Sequence, residues 1–181
     1  MKLRDLCILL LAALSLSCSS GDPLEFQGDP RPIFQGMFIT LENSPEPIGK
    51  WGNPQNNSGK DFSLQAAMPN PAKSHTEFVY RLPGPTHVRI WATPAILPHE
   101  LSLTTQGGAI VQAPLPMQQI LISDEVHSAG MYTTRWSIDP ALYPPGPYRV
   151  YMSADGKLSW VDVWVYTSSA DAPPFLRMMF E

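Results

Sequence analysis

Short segments in which apolar and polar residues alternate recur along the second two thirds of the chain. In His75–Leu82 the alternation places Phe78, Tyr80 and Leu82 on one face. Alternation of this kind is found in segments 75–82, 87–92, 131–138, 148–152 and 158–166. Proline- and glycine-rich turns separate the segments, and Asp155-Gly156 is a two-residue hairpin signal. The pattern predicts an all-β fold, an antiparallel β-sandwich of two sheets.

Several large aromatic residues fall on the face opposite the predicted core positions. In segment 158–166, three valines alternate with polar and aromatic residues that point the other way. The aromatic residues on these opposite faces are Trp91, Tyr151, Trp160 and Trp164. Exposed aromatic rings on a sheet predict a ligand-binding face for a glycan or a protein partner. Two other interpretations stay open: the registers are shifted by one residue, or the amino-terminal segment covers these rings.

The amino terminus has the pattern of an export signal. Lys2 and Arg4 precede an apolar run of about 11 residues, far short of the ~20 that span a bilayer. Small residues follow, and residues 14–18 resemble the cleavage box of bacterial lipoproteins. This resemblance predicts a signal peptide over residues 1–17 and a lipid on Cys18. Ser15 stands where that box normally has leucine, and Ser15-x-Ser17 also suits an ordinary signal peptidase, which would release a soluble, secreted protein.

Cysteine usage and net charge limit the classes of partner expected for the mature chain. Cys7 lies in the predicted signal peptide and no cysteine follows Cys18, so the mature chain has no cysteine pair for a disulfide. Removal of residues 1–17 changes 12 basic and 16 acidic residues to 10 and 15, a net charge of −5. This charge disfavours nucleic acid. The predicted partner is a membrane, reached through the lipid. Because Ser19 rather than aspartate follows Cys18, the outer membrane is the favoured location within the cell envelope.

Proline content and spacing suggest how the chain is divided. The chain has 20 prolines in 181 residues, which disfavours long helices. We predict a Pro/Gly-rich tether and lead-in over residues 18–60, a sandwich over 61–168 and a carboxy-terminal tail over 169–181. Segments 101–105 and 109–113 suggest an extra hairpin. An alternative view makes part of the tether a docking segment for a partner or for the domain itself, through Phe26, Ile33, Phe34 and Phe38.

Three short motifs carry a resemblance to a known family. They are Pro69-Asn70-Pro71 ahead of an alternating strand, Ala129-Gly130 ahead of a strand with Trp136, and Pro145-Gly146-Pro147-Tyr148 at the start of a later strand. Over residues 62–166 the chain resembles a FlgD-type immunoglobulin-like domain, similar to the carboxy-terminal sorting domains of type IX secretion. The resemblance implies an immunoglobulin-like sandwich, with Trp136 between the sheets and no catalytic residues.

Residue types that carry chemistry are sparse. The histidines are His75, His87, His99 and His127, in no spacing typical of a metal site. There is no Gly-x-Ser-x-Gly nucleophile motif, and Asp124-Glu125 suggests an exposed loop. We therefore predict no metal, no cofactor and no enzymatic activity. The expected function is a structural, adhesion or assembly module of the cell envelope. Binding of carbohydrate or protein through the aromatic face, and a type IX sorting role, are the alternatives.

Overall fold

The computed structural model describes residues 31–42, 44, 46–55, 61–98 and 119–172. The segments in which apolar and polar residues alternate form strands in it. Nine strands and one short 3₁₀ helix, Ser169–Asp171, lie within these ranges. The strands are β1 Gly36–Ile39, β2 Gly49–Gly52, β3 Ser63–Met68, β4 His75–Leu82, β5 Thr86–Pro94, β6 Ile120–His127, β7 Gly130–Ser137, β8 Gly146–Ala154 and β9 Lys157–Val165.

Seven of these strands build two antiparallel sheets. The first has the order β3-β4-β7 and the second the order β6-β5-β8-β9. Strands β1 and β2 form a separate hairpin. The two larger sheets enclose one shared hydrophobic core. The predicted all-β sandwich is confirmed.

Much of the core comes from positions that alternation placed inward, and β3, which the alternation did not predict, adds Leu64 and Ala67. Phe78 and Tyr80 from the first sheet are fully buried, as are Val150 and Val163 from the second. Trp136 lies between the sheets, as expected, with its ring centroid 5.6 Å from that of Tyr143 and 5.5 Å from that of Tyr148. Burial of such side chains contributes about 1.5–3 kcal/mol each.

The Pro-Asn-Pro motif has a structural role at the edge of the second sheet. Asn70 is buried, and its side-chain amide donates to the Asp162 carbonyl at 3.0 Å and accepts from the Trp164 amide at 3.1 Å. Its own backbone pairs with Thr40, just after β1. The Asn70 side chain and the Ala72 backbone, which bonds the Trp164 carbonyl and the Tyr166 amide, together occupy the free edge of β9. Unpaired backbone groups at such an edge invite pairing with other chains.

Two parts of the chain differ from the sequence-based expectations. Residues 31–42 and 46–55 belong to the predicted tether and lead-in, yet they pack against the sandwich through the β1–β2 hairpin and the buried Phe34. This packing fits the alternative in which the segment docks on the domain itself. Asp124 and Glu125 are exposed as expected, but they lie in strand β6 rather than in a loop. Strand β6 is the edge of its sheet, where charged side chains oppose edge-to-edge pairing. Residues 1–30, the predicted 101–113 hairpin, His99 and residues 173–181 lie outside the described ranges.

Tyr148 fastens the turn ahead of β8. Its hydroxyl donates to the Pro144 carbonyl at 2.8 Å, a corner contact that recurs in β-sandwiches. Burial raises the pKa of Tyr148 to about 12, because the phenolate loses its hydration in the core. The folded state therefore holds this proton more tightly than the unfolded chain does.

Replacing Tyr148 should change how stability depends on alkaline pH. The contribution of the raised pKa is fully present below pH 10 and is lost as the pH rises from 10 towards 12. Tyr148→Phe should be less stable by about 1 kcal/mol at neutral pH, from the lost hydrogen bond, and should lose less stability over that alkaline interval. Urea unfolding at several pH values measures both effects, with Tyr151→Phe on a half-buried ring as the control. An unchanged alkaline slope in Tyr148→Phe would contradict this account.

Candidate functional site

The outer face of the four-stranded sheet brings three of the predicted aromatic residues into one row. Trp91 on β5 pairs with Tyr151 on β8, and Tyr151 pairs with Trp160 on β9. Adjacent strands lie about 4.8 Å apart, so the row is roughly 10 Å long. Leu121 on β6 pairs with Trp91 and extends it. The three rings are half-buried and so keep part of their surface open to solvent. We call Trp91, Tyr151 and Trp160 the aromatic row.

Two rings of the aromatic row, Trp91 and Tyr151, stack on each other. The ring centroids of Trp91 and Tyr151 are 5.3 Å apart, with 19° between the planes. Because this separation is close to the strand spacing, the rings stand away from the sheet instead of lying flat on it. The guanidinium of Arg149 lies 3.6 Å from the Trp160 centroid, and that of Arg89 lies 5.9 Å from Trp91. Each ring of the aromatic row therefore contacts either a neighbouring ring or an arginine side chain.

Trp164, the fourth residue of the predicted ligand-binding face, is not part of the aromatic row. It is only 8% exposed, because Phe34 and Trp51 from the amino-terminal segment pack edge-on against it. Its indole N–H donates to the Asp171 carbonyl at 3.0 Å. The interpretation that the amino-terminal segment covers the outer aromatic residues therefore holds for Trp164, and the face it was assigned to is correct.

Residues 32–36, which we call the strap, cross the outer face between Trp164 and the aromatic row. The strap is bound to the segment just after β5, where the Phe34 amide donates to the Ile96 carbonyl at 2.8 Å and the Ile96 amide donates to the Pro32 carbonyl at 3.0 Å. At its other end the Gln35 amide donates to the carboxylate of Asp162 at 2.7 Å. The strap thereby divides the outer face into a covered part and an open part.

A buried ion pair holds the strap in place. Arg149 donates from Nε to Oδ1 of Asp162 at 2.8 Å and from a terminal nitrogen to Oδ2 at 3.1 Å. Oδ2 also accepts from the amides of Gln35 and Gly36, and Arg149 donates to the Ile33 carbonyl at 2.7 Å. The Asp162 side chain has no exposed surface. A buried charge pair persists only when such additional bonds satisfy it.

The described histidines lie in pairs rather than in a catalytic cleft. Ser74 Oγ is 3.2 Å from His75 Nδ1, and His75 Nε2 is 3.4 Å from Glu42. These are the residue types of a hydrolytic triad, but the two ring nitrogens face the opposite partners. Ser74 and Glu42 are exposed, and neither the pocket of about 240 Å³ beside Phe62 nor the small one beneath β1 includes them.

The other two histidines within the described ranges, His87 and His127, lie beside acidic residues on the second sheet. His87 Nε2 is 2.6 Å from Asp124 on the open surface. His127 Nε2 is 3.1 Å from the hydroxyl of Tyr80 and 3.6 Å from Glu125. Within the described residues, no three His, Cys, Asp or Glu side chains are grouped so that they could hold a metal ion.

Comparison of the chain with protein-family models, with curated proteins and with solved structures finds no match. The FlgD-type resemblance and the immunoglobulin-like assignment therefore stay predictions. In the part of the chain that the structure describes, no helix is long and apolar enough to cross a membrane. Cys18, the predicted site of lipid attachment, lies outside that part.

Breaking the buried pair should release the strap. We expect Asp162→Ala to lower the free energy of unfolding by about 3–5 kcal/mol, because Arg149 is left charged and unpaired. Arg149→Met with Asp162→Ala should cost less than the sum of the two single changes. Urea unfolding measures these energies, and hydrogen exchange at the Gln35 and Gly36 amides reports the strap.

The control for this cycle is the exposed pair of Arg135 and Glu77, whose charged atoms are 3.9 Å apart. Glu77→Ala should cost under about 1 kcal/mol. Additive effects of the Arg149 and Asp162 substitutions would contradict a coupled buried pair.

Proposed function

We propose that this chain is a non-catalytic module of the cell envelope, attached to a membrane by a lipid on Cys18, with a structural, adhesion or assembly role. The observation that carries the contact role is the aromatic row, which stays open on the outer face while the strap and the β1–β2 hairpin cover Trp164 beside it. The proposed location in the cell envelope rests on the amino-terminal sequence.

The composition of the aromatic row supports a contact surface. Trp, Tyr and Arg are the residues that dominate binding energy at protein interfaces. Trp91 and Tyr151 stack on each other, and Arg149 holds Trp160, so these side chains are already ordered. Ordered side chains lose little conformational entropy when a partner binds, which favours association.

The polar groups support a role without catalysis. Among the described residues, the most deeply buried carboxylate and guanidinium are those of Asp162 and Arg149, which bind each other and the backbone of the strap. Their hydrogen-bonding capacity is used in holding the fold together, so they are unsuited to binding a substrate. The exposed His87 and its partner Asp124 lie on an open strand surface.

Mass spectrometry of the mature amino terminus tests the location. We expect cleavage before Cys18, and we expect Cys18 to carry the added mass of a diacyl or triacyl group. Cys18→Ser should lose both the added mass and membrane attachment, while Ser15→Leu, which matches the lipoprotein box more closely, should keep them. An unmodified amino terminus near residue 18 in the wild-type protein would overturn the lipid anchor.

Carbohydrate binding is a second candidate, favoured by the two indole rings that keep part of their surface open. A glycan array with the mature protein tests it. If a glycan packs on the row, Trp91→Ala should weaken binding at least about tenfold, which corresponds to ~1.4 kcal/mol. Met131→Ala, on the other sheet, should leave binding unchanged. Absence of glycan binding, or equal loss in both variants, would exclude this candidate.

A further inference from the structure

Exposed apolar side chains surround the aromatic row. Leu121 is 54% exposed, Leu158 is 59% exposed and Val126 is 77% exposed. The strand registers place all three on the same outer face, since Leu121 pairs with Trp91, Leu158 with Ser153 and Val126 with His87. Leu121 and Leu158 adjoin the three rings, whereas Arg89 and Asp124 lie between Val126 and the aromatic row. We call Trp91, Leu121, Tyr151, Leu158 and Trp160 the outer patch.

Charged side chains lie beside the outer patch on the same face. Asp124 lies 2.6 Å from His87, and Arg89 lies near the Trp91 ring. Tryptophan and tyrosine rings bordered by aliphatic side chains and an arginine are typical of surfaces at the membrane–water interface, where amphipathic rings lie at the level of the headgroups.

The strap brings the anchored end of the chain to the same face. One nitrogen of Arg149 donates to the Ile33 carbonyl at 2.7 Å, while its guanidinium plane covers Trp160 at 3.6 Å. The strap is therefore one side chain away from the outer patch. Thirteen residue steps separate Cys18 from Arg31, and a chain of that length spans at most about 45 Å.

We propose that the outer patch lies on the surface of the lipid bilayer that holds the anchor. This inference rests on the proposed lipid attachment at Cys18. A short connection keeps the patch at an effective concentration on the order of millimolar near the bilayer, so a contact too weak to bind membranes by itself becomes populated.

Quenching of tryptophan fluorescence by brominated lipid tests this arrangement. The acylated protein is purified from membranes and incorporated into vesicles of phosphatidylethanolamine, phosphatidylglycerol and a bromine-labelled phosphatidylcholine. We expect strong quenching that persists at high salt, because the outer patch is mainly apolar. Leu121→Glu with Leu158→Glu should reduce the quenching at least about threefold, since charged side chains disfavour the apolar boundary. Both leucines are exposed, so these changes spare the core.

Met131→Glu is the matched control, because Met131 is 64% exposed and belongs to the other sheet. It should leave the quenching unchanged. Vesicle flotation distinguishes the two proposals: failure to float, with an unmodified amino-terminal mass, contradicts the anchor. Protein that floats but is not quenched contradicts the outer patch, as does equal quenching in the leucine variant and the wild type. Cross-linking of the unquenched outer patch to a protein would assign the surface to that protein instead.

Discussion

The carboxylate of Asp162 determines how the amino-terminal part of the chain is attached to the sandwich. Its side chain is shielded from water, so every hydrogen bond that it requires must come from the protein. Arg149 supplies two of them from the neighbouring strand, and the backbone of Gln35 and Gly36 supplies two more. The strap lies where it does because a buried charge on β9 needs those two amides.

Attachment of the strap has a consequence for the whole outer face. On one side of it, Phe34 and Trp51 pack against Trp164 and extend the hydrophobic interior beyond the two sheets. On the other side, Trp91, Tyr151 and Trp160 keep part of their surface open. The same arginine that binds Asp162 also stacks on Trp160, so the attachment of the strap and the order of the aromatic row depend on one side chain. A substitution in the Arg149–Asp162 pair would therefore affect both the strap and the aromatic row.

A polar side chain also binds backbone groups at the β9 edge of the second sheet. Asn70 reproduces with its side chain the donor and acceptor that a further strand would offer to β9. It also pairs through its backbone with Thr40, beyond the end of β1. The edge of β9 is therefore occupied by the protein itself, while β6, the opposite edge, carries Asp124 and Glu125. Both devices oppose uncontrolled strand pairing at the edges of this sheet.

Alternation of apolar and polar residues determined the fold class and the assignment of side chains to faces. Val161, Val163 and Val165 are in the core, and Trp160, Asp162 and Trp164 lie on the other face, because successive side chains of a strand point to opposite sides. The tertiary structure decided which of those outer residues is covered. The Gln35 amide and Asp162 are 127 positions apart, and no local pattern reports a contact over that separation. Period-two alternation specifies the side of the sheet for each residue, whereas burial on that side depends on which distant segment satisfies the charge beside it.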